Sequence, residues 1–220
     1  MAHDLIDSTE MYLRTVLELE EEGIPALRAR LSERLHLSAP SISEGVARLE
    51  SQGLMRLAED RTVQLTEEGR TRAEQVMRKH RLAERLLVDV LGLEHEFVHE
   101  EACRWEHVIS DRVEQRLVEF LGHPTTSPYG NPIPGAGGDF GDVVSLAEVT
   151  ADAVTVHSIS EHLQADAKVM HVLHEHGLIA GERASVTRHD DGVTLQLAGH
   201  RIELGQDAAR FVYVLPAATA

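Results

Sequence analysis

Pro25-Ala-Leu-Arg-Ala-Arg-Leu-Ser-Glu-Arg-Leu-His-Leu-Ser-Ala-Pro-Ser-Ile-Ser-Glu-Gly-Val-Ala-Arg-Leu-Glu50 is the stretch that decides the fold. Leu27, Leu31 and Leu35 recur at i, i+4 and i+8, so a short helix with one apolar stripe is expected from Pro25 to His36. Leu37 and Ser38 form a break. Ser38 is a good N-cap, and Pro40 is tolerated because the first turn needs no intrahelical donor from it. The helix from Ala39 to Glu50 turns Ile42, Val46 and Leu49 inward and leaves Ser41, Ser43, Glu44 and Arg48 outward, and Gly53 ends it. Leu54–Leu57 and Arg61–Leu65 then flank the polar turn Ala58–Asp60, which predicts a β-hairpin. Helix-turn-helix plus hairpin is a winged helix. Its second helix would enter a major groove, with Arg28, Arg30, Arg48 and the wing's Arg61 in reach of phosphates. The alternative is a protein-interaction scaffold; the small polar side chains outward on the second helix favour DNA.

On the N-terminal side, a helix from Asp7 to Glu22 is expected, with Asp7 and Glu10 as a capping box and an apolar stripe of Tyr12, Val16 and Leu19. Met11 lies in its first turns. On the other side, Thr66 caps a long helix to about Leu91 that carries His80 and Glu84 one turn apart. After Gly92 comes a further helix with an apolar stripe of Ala102, Trp105, Ile109 and Val113. Cys103, Glu106 and His107 fall at i, i+3 and i+4 on it, so a thiolate, a carboxylate and an imidazole would share one face. Those ligands suit a divalent transition metal with some soft character. The competing reading is a buried structural cysteine beside a surface Glu–His pair. Two adjacent striped helices are also a common dimerisation device, which would imply a homodimer on a roughly palindromic operator.

The composition changes at Gly122–Gly138, a Pro/Gly-rich linker. Beyond it six short strands are expected, namely Val143–Leu146, Ala153–Ile159, Ala184–Arg188, Val193–Leu197, Arg201–Leu204 and Phe211–Leu215. One helix from Leu163 to His176 interrupts them, and Asp190-Asp-Gly192 makes a hairpin turn. The expected architecture is mainly α with a C-terminal β domain. It divides into a winged-helix domain over 1–73, a helical dimerisation and metal-binding domain over 74–121, a linker over 122–140 and a small β-barrel over 141–220.

Net charge is −16 over 220 residues, which argues against a non-specific polyanion binder. From Ala26 to Arg72, however, eight basic and seven acidic residues nearly balance, whereas from Asp142 onward eleven acidic residues face five basic ones. A single cysteine excludes an internal disulfide and fits a reducing compartment. No basic-then-apolar leader and no membrane-length apolar run is visible, so a cytoplasmic protein is expected. His95-Glu-Phe-Val-His99 fits the HExxH zinc-hydrolase pattern, but that pattern is short and this chain holds fourteen His and 37 acidic residues. A metalloenzyme is the weaker reading. A regulator sensing an organic ligand is a further alternative.

Several stretches carry a family likeness: Asp7-Ser-Thr-Glu-Met-Tyr-Leu-Arg-Thr15, Leu27-Arg-Ala-Arg30, Val76-Met-Arg-Lys-His-Arg-Leu-Ala-Glu-Arg-Leu-Leu87, Glu101-Ala-Cys-Arg-Trp-Glu-His-Val108 and Ser127-Pro-Tyr-Gly-Asn-Pro-Ile-Pro-Gly135. They resemble the diphtheria toxin repressor and iron-dependent regulator family, closely over residues 4–135 and weakly beyond. The resemblance implies a winged helix, a helical dimerisation domain and an SH3-like domain, in a ferrous-iron-activated repressor of iron-acquisition genes. It implies an activating metal site of Met11, Cys103, Glu106 and His107. A second, ancillary site would comprise His80, Glu84 and His99 with Glu161 and Gln164, giving two metal ions per subunit. Arg81, Ser127 and Asn131 match an anion-binding group, and the Pro-rich linker resembles a peptide on which the SH3-like domain docks. In the recognition helix Ser38, Pro40, Ser41 and Ser43 correspond; Glu44 stands where Gln is expected, and it can accept from a cytosine amino group but repels phosphate. Manganese-responsive relatives carry carboxylates in place of Met11 and Cys103, so the thioether and thiolate point to Fe2+. Co2+, Ni2+ and Zn2+ should bind at least as tightly in vitro, and Mn2+ less well.

Overall fold

A computed structural model describes residues 8–197 and 199–217. They fall into two compact units, each described separately. The first holds the described residues up to His80 together with Cys103–Glu114; the second holds Arg81–Ala102 and the described residues from Gln115 onward.

In the first unit α1 (Ser8–Glu21), α2 (Arg28–Leu35) and α3 (Ala39–Ser51) precede the hairpin β1 (Met55–Leu57) and β2 (Val63–Leu65). The expected Asp7 cap lies outside the described residues. The hairpin is antiparallel, pairing Met55 with Leu65 and Leu57 with Val63. Ile42, Val46 and Leu49 of α3 pack with Leu13, Val16, Leu31 and Met55 in one core. Each such apolar side chain contributes about 1.5–3 kcal/mol on burial. Gly45 leaves room where α3 meets α1: an added Cβ would stand 2.4 Å from Tyr12 Oη, so the Tyr12 ring would have to shift. Ser38 caps α3 through the Ser41 N–H, as its sequence indicates.

The first helix of the pair begins three residues later than expected. Leu27 is extended and bridges Thr62 of the wing, while Val63 N–H donates to the Ala26 carbonyl. Ala26 and Leu27 therefore pair with the wing, because pairing with the hairpin satisfies backbone groups that an isolated helical turn would leave open.

Thr66 Oγ1 accepts from Gly69 N–H and starts α4 (Glu67–Arg85), which runs on through a wide π turn at Leu86–Val90. The next helix, α5 (His95–Trp105), is shorter than expected. Val108 and Ile109 N–H both donate to the Trp105 carbonyl, so Glu106 and His107 lie in the closing turn. Val113 belongs to the separate helix α6 (Asp111–Phe120). The stripe from Ala102 to Val113 therefore spans two helices, divided at Ser110, whose hydroxyl caps the second through Val113 N–H.

In the second unit β3 (Val144–Ser145), β4 (Ala153–Ile159), β5 (Arg183–His189), β6 (Gly192–Leu197), β7 (His200–Gly205) and β8 (Val212–Pro216) form one sheet, in the order β3-β8-β4-β5-β6-β7. Every pairing is antiparallel, and His189 opposite Gly192 brackets the expected two-residue turn. The single helix expected over Leu163–His176 is two, α7 (Glu161–Gln164) and α8 (Ala167–Glu175). Ser160 caps the first and Asp166 the second, accepting from Lys168 and Val169 N–H. Two strong N-caps six residues apart divide what the apolar spacing alone joins. A short helix α9 (Gln206–Ala209) precedes β8.

The Pro/Gly-rich stretch is not a loose tether. Ser127, Tyr129, Asn131 and Ile133 are buried, Ile159 N–H donates to the Tyr129 carbonyl, and Asn131 Nδ2 donates to the Ile159 carbonyl. It docks on the end of β4 of the small β domain through one main-chain bond and one from the Asn131 side chain. Gly130, at φ +86°, passes so close to His157 that a Cβ would clash with its carbonyl.

Candidate metal centre

In the first unit three segments converge. The 3.6-residue period puts Glu10, Met11, Arg14 and Glu18 along one side of α1. α4 brings His80, and the end of α5 brings Cys103, Glu106 and His107. Glu106 is at the middle. Arg14 Nη1 donates to both its oxygens, at 2.9 and 2.7 Å, and His80 Nδ1 donates to Oε2 at 2.7 Å. The same Nη1 lies 3.2 Å from Cys103 Sγ, and Arg14 Nε pairs with Glu18 at 2.6 Å. Burial alone would raise the Glu106 carboxyl, but the Arg14 charge and the His80 and Arg14 hydrogen bonds outweigh it and lower its pKa to about 2. Glu106 is thus a buried, ionised carboxylate.

His107 is oriented from its other side. Its Nδ1–H donates to Glu10 Oε2 at 2.5 Å, with only 2% of the imidazole side chain exposed. Burial disfavours the imidazolium, but the Glu10 hydrogen bond and the charges of Glu106 and Glu10 raise the His107 pKa. Nε2 is buried 3.2 Å from Glu106 Oε1 and has no hydrogen-bond partner among the described residues. A carboxylate on Nδ1 with Nε2 held open is the arrangement of a metal-ligating histidine. These residue types suit a divalent ion: His107 Nε2 lies 3.2 Å from Glu106 Oε1, and Cys103 Sγ shares the Arg14 guanidinium with Glu106. Met11 stands one turn before Arg14 on the same side of α1. In the sequence Glu10 reads as half of a capping box and Arg14 carries no role; their positions at i−1 and i+3 from Met11 are the signal that places them beside the site.

The second unit holds another group. Glu84, His99 and Glu161 each offer a ligand atom within 4.8 Å of the others. His99 Nδ1 is 3.9 Å from Glu84 and 3.6 Å from Glu161. Gln164 is buried beside them on α7. Its Nε2 donates to the Ile159 carbonyl at 2.7 Å, and its Oε1 is buried without a partner among the described residues. A buried amide oxygen to which nothing donates is costly unless a donor or a cation meets it, which fits the ligand role. His80 stands one turn before Glu84 on α4, with its Nδ1 committed to Glu106.

Arg81, expected at an anion, donates to Glu161 at 2.9 Å and to the Pro132 carbonyl. Ser127 Oγ accepts from Tyr129 N–H, and Asn131 serves Ile159. The HExxH residues part company: His99 faces Glu84, whereas His95 stacks on His174 with ring centroids 3.8 Å apart, and Glu96 pairs with His171 at 2.9 Å. On the winged helix Ser38, Pro40, Ser41, Ser43, Glu44, Arg48 and Arg61 are exposed. Arg48 reaches Thr9 and Ser8, Arg30 pairs with Glu33 at 2.9 Å, and Arg28 is half-buried. Among the described residues no helix is long and apolar enough to cross a membrane.

Three family profiles cover the chain in order. Residues 4–63 match the iron dependent repressor N-terminal DNA binding domain, and 66–135 match the iron dependent repressor metal binding and dimerisation domain. Residues 141–214 match the diphtheria toxin repressor SH3 domain. The iron-dependent repressor IdeR of Mycobacterium tuberculosis is 50% identical, over 96% of this chain and 98% of that protein. The diphtheria toxin repressor of Corynebacterium diphtheriae is 45% identical, over 96% and 98%. Among solved structures, a manganese-dependent transcriptional repressor in complex with manganese superposes with TM-score 0.83 at 32% identity, covering 95% of this chain and all 100% of that one. The T. acidophilum IdeR crystal structure does so with TM-score 0.78 at 28% identity, over 94% and 97%. With its DNA-binding, metal-binding and dimerisation, and SH3-like domains all matched in sequence order, this chain belongs to the iron-dependent repressor family of metal-dependent, DNA-binding transcriptional repressors.

Proposed function

We propose that the protein is a cytoplasmic, iron(II)-activated repressor of iron-acquisition genes that binds a palindromic operator as a homodimer and has no catalytic activity. The carrying observation is the donor set: Cys103 Sγ, ionised Glu106, and a His107 Nε2 left open because Glu10 holds Nδ1. Met11 would complete this set as the activating site. When bound, the ion supplies a divalent charge that donors from α1 and from the end of α5 share. Met11 would then hold α1, and with it the packed helix α3, at a fixed distance from Cys103 and Glu106. Ser38, Pro40, Ser41, Ser43 and Glu44 would present their polar atoms to base edges or flanking phosphates, and Arg28, Arg30, Arg48 and Arg61 would steady the backbone. Operator and metal would tighten each other's binding reciprocally. His80, Glu84, His99, Glu161 and Gln164 would hold a second ion, with Arg81, Ser127 and Asn131 serving an anion beside it. Exposed Val90, Leu91, Phe97 and Phe120 offer apolar surface of the kind that a subunit interface covers.

The test is an anaerobic mobility-shift assay on a palindromic operator with Fe2+, Mn2+ or a chelator. A shift with Fe2+ and none in chelator is expected; equal binding in chelator would sink the metal switch. A manganese-responsive regulator is the second reading, favoured by the similarity to the manganese-bound repressor. Thiolate chemistry at Cys103 argues for the softer ion, and half-saturation at lower free Mn2+ than Fe2+ would reverse that choice.

A further inference from the structure

We propose that Arg14 is a tethered competitor for the activating ion: Cys103 and Glu106 take a divalent cation only as the Arg14 guanidinium withdraws, so Arg14 sets the metal concentration at which the protein responds. The inference rests on the metal-centre reading above and concerns a residue that this reading leaves without a role.

The observation is a permanent cation seated among the donors. Arg14 Nη1 contacts Cys103 Sγ at 3.2 Å and both Glu106 oxygens at 2.9 and 2.7 Å, and the guanidinium is braced by Glu18 through Nε. Arg14 is 3% exposed and Glu106 1%, so little water screens the pair. An arginine cannot shed its proton to make way for an ion; it can leave only by moving. The lone pairs are limited as well. A carboxylate offers about four acceptor positions. On Glu106 two receive Arg14 and a third His80, while His107 Nε2 stands 3.2 Å from Oε1. Placing a divalent charge on the same oxygens beside the guanidinium sets like charges against each other in a water-poor pocket.

The register on α1 gives the exchange a consequence. Arg14 lies three residues after Met11 and four after Glu10, so all three follow one side of the helix. With Arg14 on Glu106, α1 is tied to the end of α5 by an ion pair; with Met11 and the metal, it is tied one turn nearer its N-terminus. The response would be a change of attachment point along α1, not the appearance of an attachment.

The test is an anaerobic Co2+ titration of the full-length protein, following the thiolate-to-cobalt charge-transfer absorption, with Arg14→Gln and Arg14→Lys and far-UV circular dichroism to score folding. Arg14→Gln should bind Co2+ at least about tenfold tighter than wild type, the ratio equivalent to about 1.4 kcal/mol of relieved competition. Arg14→Lys, which keeps a cation, should stay nearer wild type. Equal or weaker binding by folded Arg14→Gln would overturn the proposal, weaker binding meaning that the guanidinium supports the ligands. A crystal structure of the wild-type protein with Co2+ decides the same point even where Arg14→Gln does not fold: Arg14 away from Glu106 upholds it, and both Nη1 contacts kept overturn it. The two levels separate in wild type. Without a charge-transfer band the metal-centre reading fails, and the proposal with it; with a band lost in Cys103→Ser but an Arg14→Gln titration unchanged, only the proposal fails.

Discussion

Both clusters of ligand-type side chains hold a carboxylate against a buried arginine, Arg14 on Glu106 in one unit and Arg81 on Glu161 in the other, yet they draw on different parts of the fold. The first draws on α1 of the DNA-binding helices and contains the chain's only sulfhydryl. The second uses oxygen and nitrogen donors alone, and Glu161 and Gln164 come from the short helix between β4 and α8. An ion in the first would couple to the position of a DNA-reading element. An ion in the second would couple to the packing of the small β domain. Position in the fold, more than ligand count, would separate a switch from a brace.

Cys103→Ser is expected to give the largest effect. It should lower affinity for the activating metal by more than the roughly 10–100-fold that loss of an outer-shell partner costs. Operator binding in Fe2+ should then fall to the level seen in chelator, as read by mobility shift; retained activation would erase the distinction between the clusters. Glu10→Gln comes next. Removing the charge that orients His107 should cost about 10–100-fold in Co2+ affinity by equilibrium dialysis, with folding intact. Gln164→Ala should act more mildly, leaving Fe2+-dependent operator binding in place with a loss under about tenfold, since the buried amide is one donor among several. His80→Ala, by contrast, does not separate the clusters cleanly, because His80 donates to Glu106.

The smallest effect is on pH, and the two units should respond with opposite sign. His107 has a raised pKa, so its contribution is present in full below the unfolded value of 6.5 and is lost as pH rises through the folded value. His95 has a lowered pKa, from burial first and the His174 charge second, so its contribution is present above 6.5 and is lost as pH falls through the folded value. Titration of the two imidazole C–H resonances in chelated protein should show midpoints on either side of 6.5; midpoints on the same side would contradict the contrast.

Much of this was legible in the chain. Ser38, Pro40 and the Ile42, Val46, Leu49 stripe specify α3, and Thr66 specifies the start of α4, because caps and 3.6-residue periods act through neighbours a few positions away. The residue types at Cys103, Glu106 and His107 suit a metal on local grounds, and the closing turn after Trp105, not a continuous helix, carries Glu106 and His107. Competition between local signals was harder to read. Asp166 outbid the apolar spacing that joined Leu163 to His176, and pairing with Thr62 drew Leu27 out of its helix.

The sequence by itself determined the order of the modules, the inward faces of their helices and the chemical types of the donors. Tertiary structure alone decided that Arg14 meets Glu106 across 92 positions of chain, that Glu10 holds His107 across 97, and that Ser127–Ile133 is packed against β4. The physical reason is range. Helix periods and caps are fixed by neighbours within a turn, whereas a buried charge finds its partner only after distant segments have enclosed it, and there the cost of an unpaired ion selects the contact.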